Sequence, residues 1–269
     1  MAVAGCRKFV PMATALVTGG TSGIGNAFVR AFAARGLDVV IVARDTARMD
    51  SIARDITAQH GVHVETIAAD LSKAEDVTRI ATWIEDPSHD LDWVVNNAGF
   101  GLHAKLLDAE QLATQRQAMD VMCWAVLEIS AAAGRAMKNR GRGHIVSVAS
   151  TSAWYYSGNY SAIKVWCLSF TQALANELRG TGVTATALCP GWVHTEFHDR
   201  AGIATTKLPE FVWVDPDVLV SECLADAEKG KPVSIPTTKW KAVIGVAQML
   251  PRTTIRWASR KISGTRTKK

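Results

Sequence analysis

Short runs of β-branched and other apolar residues alternate along this chain with longer stretches whose apolar positions repeat at helical spacing. The predicted strands are TALVTG (14–19), DVVIVA (38–43), HVETIAAD (63–70), LDWVVNNAG (91–99), GHIVSVAS (143–150), VTATALCP (183–190) and PVSIP (232–236). Helical stretches lie between them, including 46–60, 73–86, a long one near 108–139, and 160–179. This alternation predicts an α/β fold with a single doubly wound parallel sheet of about seven strands and helices on both faces. Ligands of such sheets bind at the carboxyl ends of the strands.

A glycine-rich segment, TGGTSGIG (18–25), joins the first strand to the first helix. Glycine lets the backbone turn sharply and approach a ligand closely, while the helix N-terminus offers N–H groups and a positive dipole end to a pyrophosphate. We therefore expect a dinucleotide cofactor here. The expected contacts are Gly19, Thr21, Ser22, Gly23, Ile24 and Gly25.

The second strand ends in IVARD, which places Arg44 where an acidic residue would bind the adenosine ribose 2′-hydroxyl. A guanidinium can hold a 2′-phosphate through two parallel hydrogen bonds. The sequence therefore favours NADP (NADPH) over NAD. Asp45 leaves an alternative open, because it could neutralise Arg44 or turn to the ribose itself.

Composition is that of an ordinary globular protein, with 48% hydrophobic and 20% charged residues in 269. The formal net charge of +5 is unevenly distributed, because residues 229–269 hold eleven of the 30 Lys and Arg residues and no acid. The remaining 19 basic and 25 acidic residues make residues 1–228 mildly acidic, with a net charge of −6. The five cysteines are odd in number and form no C-x-x-C, which favours a reduced, cytoplasmic protein. We expect no metal site.

Several further motifs follow the glycine segment in a specific order. They are Asp70 after the third strand, NNAG (96–99), Ser150, YSAIK (160–164) and PGWVHT (190–195). Together with T-G-x-x-x-G-x-G, they resemble the short-chain dehydrogenase/reductase family over about residues 13–236. The resemblance implies a Rossmann-type NADP-binding catalytic domain over 13–237, between an N-terminal extension (1–12) and a C-terminal extension (238–269).

The resemblance also implies further cofactor contacts. Asp70 and Leu71 would flank the adenine, and Asn97, Ala98 and Gly99 would line the cofactor. The nicotinamide end would be held by Pro190, Gly191, Val193 and Thr195.

All three tyrosines of the chain lie between positions 155 and 160, but only Tyr160 has a lysine four residues later, Lys164, on the same helix face. An unperturbed tyrosine titrates near ~10, and a nearby ammonium lowers the pKa. Tyr160 is therefore predicted to exchange a proton with a carbonyl, with Lys164 lowering its pKa. The resemblance adds that Lys164 binds the nicotinamide ribose and Ser150 holds the substrate oxygen. Tyr155 and Tyr156 are interpreted as packing or rim residues of the substrate wall.

One position departs from the family pattern. Met122, in MDVMCWAV, stands where many members carry an asparagine that shapes a helix irregularity and whose carbonyl holds a water of a proton relay. A methionine keeps the carbonyl and loses the amide. A tolerated variant and a slower or different proton route are both compatible with this change.

Aromatic residues concentrate in the segment predicted to be the substrate lid, 192–214. They are Trp192, Phe197, Phe211 and Trp213, with Trp154 nearby in the fold. An enclosure of this kind suits an acyl chain or a polycyclic ketone better than a sugar. NNAGFG, ELRGTGV and the basic C-terminal extension are also similar to the mycolate-reductase branch of the family, which reduces a 3-oxo group on a very long lipid. His194 and His198 are given no catalytic role.

The C-terminal extension places apolar residues on one helical face among lysines and arginines. The face consists of Trp240, Val243, Ile244, Ala247 and Leu250. Such a segment could lie on an anionic membrane surface, at the inner face of the membrane, or pack on the domain or on a partner subunit. No nucleic-acid motif accompanies the charge, so we expect no nucleic-acid partner. A homo-oligomer and a monomer are both compatible with the sequence.

Two functional classes remain open. The first is an NADPH-dependent reductase of a large apolar ketone, either a 3-oxoacyl lipid or a steroid or other hydrophobic ketone. The second is a non-catalytic dinucleotide-binding regulatory protein. The intact set of Ser150, Tyr160 and Lys164 favours the first class, and Met122 is the one feature that favours the second.

Overall fold

The computed structural model describes residues 13–102, 104–195 and 209–266. The predicted N-terminal extension, 1–12, lies outside these ranges, as do residues 196–208 of the predicted substrate lid with Phe197 and His198.

Seven parallel strands form one sheet in the order β3-β2-β1-β4-β5-β6-β9. They are β1 (Thr14–Thr18), β2 (Asp38–Ala43), β3 (Val64–Ala68), β4 (Leu91–Asn96), β5 (Gly143–Val148), β6 (Val183–Leu188) and β9 (Val233–Ser234). Two further short strands, β7 (Trp192–Val193) and β8 (Trp213–Val214), pair with each other. The strand order reverses between β1 and β4, which opens a crevice at their carboxyl ends.

Nine α-helices surround the sheet in the described part of the chain. They are α1 (Gly23–Ala34), α2 (Thr46–His60), α3 (Ala74–Glu85), α4 (Leu112–Met119), α5 (Ala125–Arg140), α6 (Gly158–Glu177), α7 (Pro216–Glu228), α8 (Thr238–Met249) and α9 (Arg252–Arg266). The long helix predicted near 108–139 is interrupted by a π-helical turn, Asp120–Trp124, between α4 and α5. The prediction of a doubly wound parallel sheet with helices on both faces is confirmed.

Successive residues of the central strands enter two separate cores, one on each face of the sheet. Val17 of β1 packs with Phe28 of α1 and Leu219 of α7. Its neighbour Leu16 packs on the opposite face with residues of α3 and α5 such as Ile129. Burial on both faces explains why these strands are continuous Val- and Ile-rich runs rather than alternating ones.

The C-terminal extension is packed against the domain through α8. The indole Nε1 of Trp240 donates to the Val212 carbonyl at 3.1 Å, and Lys239 Nζ donates to the Trp213 carbonyl. The Trp240 ring also lies directly against Gly191, where a Cβ would come within 2.0 Å of it. Helix α8 therefore joins the loop after β6 to the end of the predicted lid.

The apolar face predicted in this extension is only partly covered. Ile244 is buried and Ala247 is half-buried, while Val243 and Leu250 are exposed. In the part of the chain that the structure describes, every helix is too short or too polar to cross a membrane.

We expect Trp240→Ala to destabilise the protein, because the indole fills the space between α8, Gly191 and Val212. Truncating this half-buried tryptophan should lower the free energy of unfolding by about 2 kcal/mol, less than the ~3–5 kcal/mol expected for a fully buried one. The midpoint temperature of thermal unfolding, Tm, should then fall by roughly 4–8 °C. Met249→Ala on the same helix, at an 86% exposed position, is the matched control and should leave Tm unchanged. Equal Tm values for Trp240→Ala and the wild type would show that α8 does not stabilise the domain.

Candidate active site

The segment between β1 and α1 depends on glycine at specific positions. Gly19 and Gly23 have left-handed backbones, with φ of +67° and +53°. A Cβ on Gly25 would lie 2.2 Å from the Gly19 carbonyl oxygen, so the turn closes only around glycine. Ser22 is the N-cap of α1 but its side chain makes no capping hydrogen bond. The first turn of α1 thus faces the crevice with N–H groups of the kind that bind a pyrophosphate.

NNAG holds this segment in place from the neighbouring strand. Asn97 Nδ2 donates to the carbonyls of Thr18 and Gly19, at 3.0 and 3.1 Å. In return, the Thr18 hydroxyl oxygen accepts from the backbone N–H groups of Asn97 and Ala98, at 3.0 and 3.1 Å. The amide of Asn97 therefore positions the glycine segment. Thr18 was missed by the sequence reasoning, although its place at the end of β1 opposite NNAG is a usable signal.

The adenosine end of the crevice carries charges of both signs. Arg44 is exposed after β2, and Asp45 caps α2 by accepting from the Arg48 N–H at 3.0 Å. Asp70 accepts from the backbone and the hydroxyl of Ser72, at 3.1 and 2.8 Å. Partial burial opposes ionisation of Asp70, but these hydrogen bonds and the charge of Arg44 outweigh it and lower the pKa of Asp70.

The loop after β6 reaches the glycine segment from the other side. Pro190 accepts from the Thr151 N–H at 2.9 Å, and Val193 is buried in the β7–β8 pair. The Thr195 side chain faces Gly23, where a Cβ would meet it at 3.1 Å. The segments predicted to hold the pyrophosphate and the nicotinamide are therefore adjacent.

These features fit a dinucleotide. Its phosphates would lie at the first turn of α1, its adenosine between Arg44 and Asp70, and its nicotinamide beside the loop after β6. Among the described residues, no group of three or more His, Cys, Asp or Glu side chains could hold a metal ion.

Ser150 follows β5 and begins a 3₁₀ turn, Thr151–Trp154. Its Oγ accepts from the Ser152 N–H at 3.0 Å, which leaves the hydroxyl proton to donate elsewhere. The Ser150 side chain is also hydrogen-bonded to the phenol of Tyr160. Ser150 and Tyr160 are therefore close enough for both side chains to hydrogen-bond to the same carbonyl oxygen.

Lys164 lies one helical turn after Tyr160 on α6 and is only 7% exposed. Its Nζ donates to the Val148 carbonyl at 2.8 Å and lies 5.6 Å from the centre of the Tyr160 ring. The structure therefore brings Ser150, Tyr160 and Lys164 together at the carboxyl end of β5.

The pKa of Tyr160 differs from the sequence-based expectation. Lys164 was expected to lower the pKa of Tyr160. In the protein without bound cofactor, however, the burial of Tyr160 is the largest effect, and it raises this pKa well above its ordinary value. The neighbouring Tyr155 acts in the same direction, and the hydrogen bond with Ser150 opposes it. Burial likewise lowers the pKa of Lys164. The phenol is therefore held in its protonated form.

Met122 lies in the π-helical turn, where the Ala125 N–H bonds to the Asp120 carbonyl. The helix irregularity attributed to an asparagine thus forms around a methionine. Met122 is buried, and its thioether lies against Gly99, where a Cβ would meet Sδ at 3.1 Å. π-helical turns occur frequently at functional sites, and this one shares an apolar cluster with Tyr160.

Gln115 is a further residue that the sequence reasoning missed. Its Nε2 donates to the Ala104 carbonyl at 3.0 Å, and its Oε1 accepts from Asn159 Nδ2 at 2.8 Å. This 8% exposed side chain ties the segment after NNAG to the start of α6. A glutamine in an amphipathic helix carries no signal of such a role in a single sequence.

Aromatic rings form the described base of the predicted lid. Trp192 and Trp213 meet edge to face with centroids 5.9 Å apart, and the His194 ring stacks on Trp213 at 4.4 Å. His194 Nε2 also lies 3.0 Å from a carboxylate oxygen of Glu210. These contacts give His194 a structural role.

The model of the short chain dehydrogenase family matches residues 13–204. This chain belongs to the short-chain dehydrogenase family. The enzyme is accordingly an NAD(P)-binding oxidoreductase that interconverts alcohol and carbonyl groups, and the Ser150, Tyr160 and Lys164 cluster lies within the matched segment.

Curated relatives of this short-chain dehydrogenase act on varied substrates. A 1-deoxy-11-beta-hydroxypentalenate dehydrogenase of Streptomyces exfoliatus is 38% identical over 186 residues, or 67% of each chain. A 3-oxoacyl-[acyl-carrier-protein] reductase of Synechocystis is 31% identical over 190 residues, or 69% of this chain and 76% of that one.

Solved structures agree on the fold. A short-chain dehydrogenase from Sphingobium yanoikuyae in complex with NADPH is 30% identical, with a TM-score of 0.78 over 88% of this chain and 94% of that one. A bulky-bulky ketone specific alcohol dehydrogenase from Comamonas testosteroni is 27% identical, with a TM-score of 0.74 over 89% and 93%. Helices α8 and α9 of this short-chain dehydrogenase lie beyond the segment that the family model matches.

We expect Gly25→Ala to weaken binding of the dinucleotide by at least about tenfold, because the added Cβ displaces the N–H groups of the turn. Gly245→Ala is the matched control, since a Cβ there meets no atom within 4 Å and a helix interior favours alanine. Titration of NADPH by fluorescence measures both. Unchanged affinity in Gly25→Ala would place the cofactor elsewhere.

Tyr160→Phe should lower kcat by roughly 10²–10⁴-fold while cofactor affinity stays near the wild-type value, because the change removes the transferable proton and little else. Tyr155→Phe, five residues earlier, should keep most of the activity. The measurement is steady-state turnover beside cofactor titration. Normal turnover by Tyr160→Phe would exclude it as the proton donor.

Proposed function

We propose that this short-chain dehydrogenase uses NADPH to reduce a ketone to a secondary alcohol on a large apolar substrate, a 3-oxoacyl lipid. The observation that carries this proposal is the surroundings of Tyr160. Its ring packs against a largely buried apolar cluster. The cluster comprises Phe100, Leu102, Ala118, Val121, Met122, Cys123, Tyr160, Ile163 and Trp166.

An apolar surface next to the proton donor selects against polyols. Sites that bind sugars supply hydrogen-bond partners to most hydroxyls, and a buried hydroxyl without one costs about 1–3 kcal/mol. The partly buried apolar side chains next to Tyr160, such as Phe100, Leu102 and Trp166, offer no such partners. A methylene chain or fused hydrocarbon rings fit this surface.

The residues of the chain have separate tasks in the reduction. When bound, the nicotinamide cofactor supplies the hydride to the carbonyl carbon. Ser150, with its Oγ held by the Ser152 N–H, donates a hydrogen bond to the carbonyl oxygen. Tyr160 donates its phenolic proton to that oxygen, completing the secondary alcohol. Lys164 holds α6 on the end of β5 and lies beside the resulting phenolate, which its charge favours.

The preference for NADPH is supported at the adenosine end. Arg44 is exposed at the carboxyl end of β2, and the Asp45 side chain is engaged as the N-cap of α2. The guanidinium therefore remains available to a 2′-phosphate. The Sphingobium relative in complex with NADPH adds support by analogy.

A steroid or other hydrophobic ketone is the alternative substrate. The likeness to a bulky-bulky ketone specific alcohol dehydrogenase favours it, while the likeness to a 3-oxoacyl-[acyl-carrier-protein] reductase favours the acyl lipid. The contacts of Tyr160 with Ser150 and Lys164 support a catalytic role over a non-catalytic one.

The test is NADPH consumption with 3-oxoacyl thioesters of increasing chain length, steroid ketones and a ketose. The proposal expects kcat/KM to rise with acyl length, since each buried methylene contributes about 0.8 kcal/mol. If the enzyme reduces steroid ketones faster than every thioester, the alternative substrate is established. Reduction of the ketose alone would refute an apolar substrate.

Arg44→Ala should weaken NADPH binding about ten- to a hundredfold, because a charge-assisted hydrogen bond contributes about 1.5–3 kcal/mol. NADH binding should change much less. Arg54→Ala, an exposed arginine on α2, is the matched control and should affect neither cofactor. Equal losses for NADPH and NADH in Arg44→Ala would show that it does not recognise the 2′-phosphate.

A further inference from the structure

Helix α9 is fastened to the loop just before α6, the helix that carries Tyr160. The Tyr156 N–H donates to Ser259 Oγ at 2.9 Å, and the Ser259 hydroxyl donates to the Ile255 carbonyl at 2.7 Å. Ser259 is only 3% exposed, so this contact is part of a packed junction. Ser259 of the C-terminal extension therefore lies beside the segment between Ser150 and Tyr160.

A cavity of about 360 Å³ opens at this junction, lined by Tyr156, Arg256, Ser259 and Arg260. The two arginines are four residues apart on α9 and share one face. Two like charges at this spacing repel each other, and residues 229–269 contain no acid that could neutralise them. In the described ranges neither arginine forms an ion pair, so the cavity presents uncompensated positive charge.

The chemistry of the lining matches a phosphate group. Guanidinium groups bind phosphate through paired hydrogen bonds, and the hydroxyl of the half-exposed Tyr156 adds a polar partner. Tyr156 is four residues from Tyr160, so their Cα atoms are at most about 14 Å apart. A phosphate bound here would therefore lie within a short molecular arm of the reacting carbonyl.

We propose that this cavity, the α9 phosphate site, binds the phosphate of a phosphopantetheine thioester that carries the 3-oxoacyl substrate. The pantetheine arm is a chain of about a dozen bonds, long enough to span the distance of at most about 14 Å between the Cα atoms of Tyr156 and Tyr160. The acyl group would then extend along the partly buried apolar side chains next to Tyr160. The acyl part of this proposed ligand rests on the proposed function. Its phosphate part rests only on the residues of the cavity at α9.

The test compares one 3-oxoacyl group on two thioesters that differ only in the phosphate: 4′-phosphopantetheine and pantetheine. In the full-length enzyme, Arg256→Ala/Arg260→Ala should raise KM for the phosphorylated thioester about tenfold or more and leave its kcat unchanged. KM for the unphosphorylated thioester should stay the same. Arg252→Ala, an exposed arginine of α9 outside the cavity, is the matched control and should change neither KM. Equal changes on both thioesters, or no change on either, would overturn the proposal.

A binding measurement separates this inference from the proposed function. Calorimetric titration should show that free 4′-phosphopantetheine binds the wild type and Arg252→Ala, and that it binds the double variant about tenfold or more weakly. Pantetheine should bind all three equally weakly. If the enzyme reduces no thioester but this pattern holds, the proposed function fails and the site stands. Equal binding of 4′-phosphopantetheine by all three proteins overturns the site.

A phosphate group could also come from a lipid headgroup, and an experiment with vesicles tests this second source. Sedimentation with phosphatidylglycerol vesicles should be equal for the wild type and the double variant. Loss of vesicle binding in the double variant, with unchanged KM values for both thioesters, would assign the cavity to a membrane headgroup and overturn the carrier proposal.

Discussion

A buried ammonium sets the geometry of this active site. Lys164 is almost fully enclosed, and its hydrogen bond to the Val148 carbonyl fastens α6 to the end of β5. An unpaired buried charge is costly, so this contact strongly restricts where α6 can lie. Because Tyr160 is one turn earlier on the same face, its phenol is brought to Ser150. Burial of Tyr160 itself raises the pKa of the phenol and keeps it protonated.

The sequence predicted the sheet and the proximity of Tyr160 and Lys164, for physical reasons that act locally. Doubly buried strands need continuous apolar runs, and the glycine turn needs residues without a Cβ at Gly19 and Gly25. The spacing of Tyr160 and Lys164 places them on one helix face wherever the helix packs. The family resemblance contributed the role of Ser150, which no spacing rule supplies.

Contacts between distant segments escaped prediction. Trp240 packs on Gly191 and holds Val212, and Ser259 bonds the backbone of Tyr156, although these pairs are far apart in the chain. The direction of the Tyr160 pKa shift was also predicted wrongly for the chain alone. The lysine spacing is visible in the sequence, but the burial that raises the pKa of Tyr160 is a property of the folded protein.

The C-terminal helices α8 and α9 are structural additions to the part of the chain that the family model matches. Helix α8 braces the loop after β6 and the end of the predicted lid, and α9 adds two arginines beside the loop that precedes α6. Both helices lie beyond the segment matched by the family model, whereas the catalytic cluster lies within it. The cluster of Ser150, Tyr160 and Lys164 therefore belongs to the family core, and the features we assign to substrate recognition lie partly outside it.

Titration of Tyr160 itself tests the central claim most directly. The chain has only three tyrosines, so Tyr155→Phe/Tyr156→Phe leaves one phenol whose ionisation can be followed by ultraviolet absorbance. Without cofactor, and with circular dichroism confirming the fold, the account predicts a midpoint above the ordinary value of about 10. A midpoint at or below about 10 would show that Lys164, rather than burial, governs Tyr160 and would contradict the account.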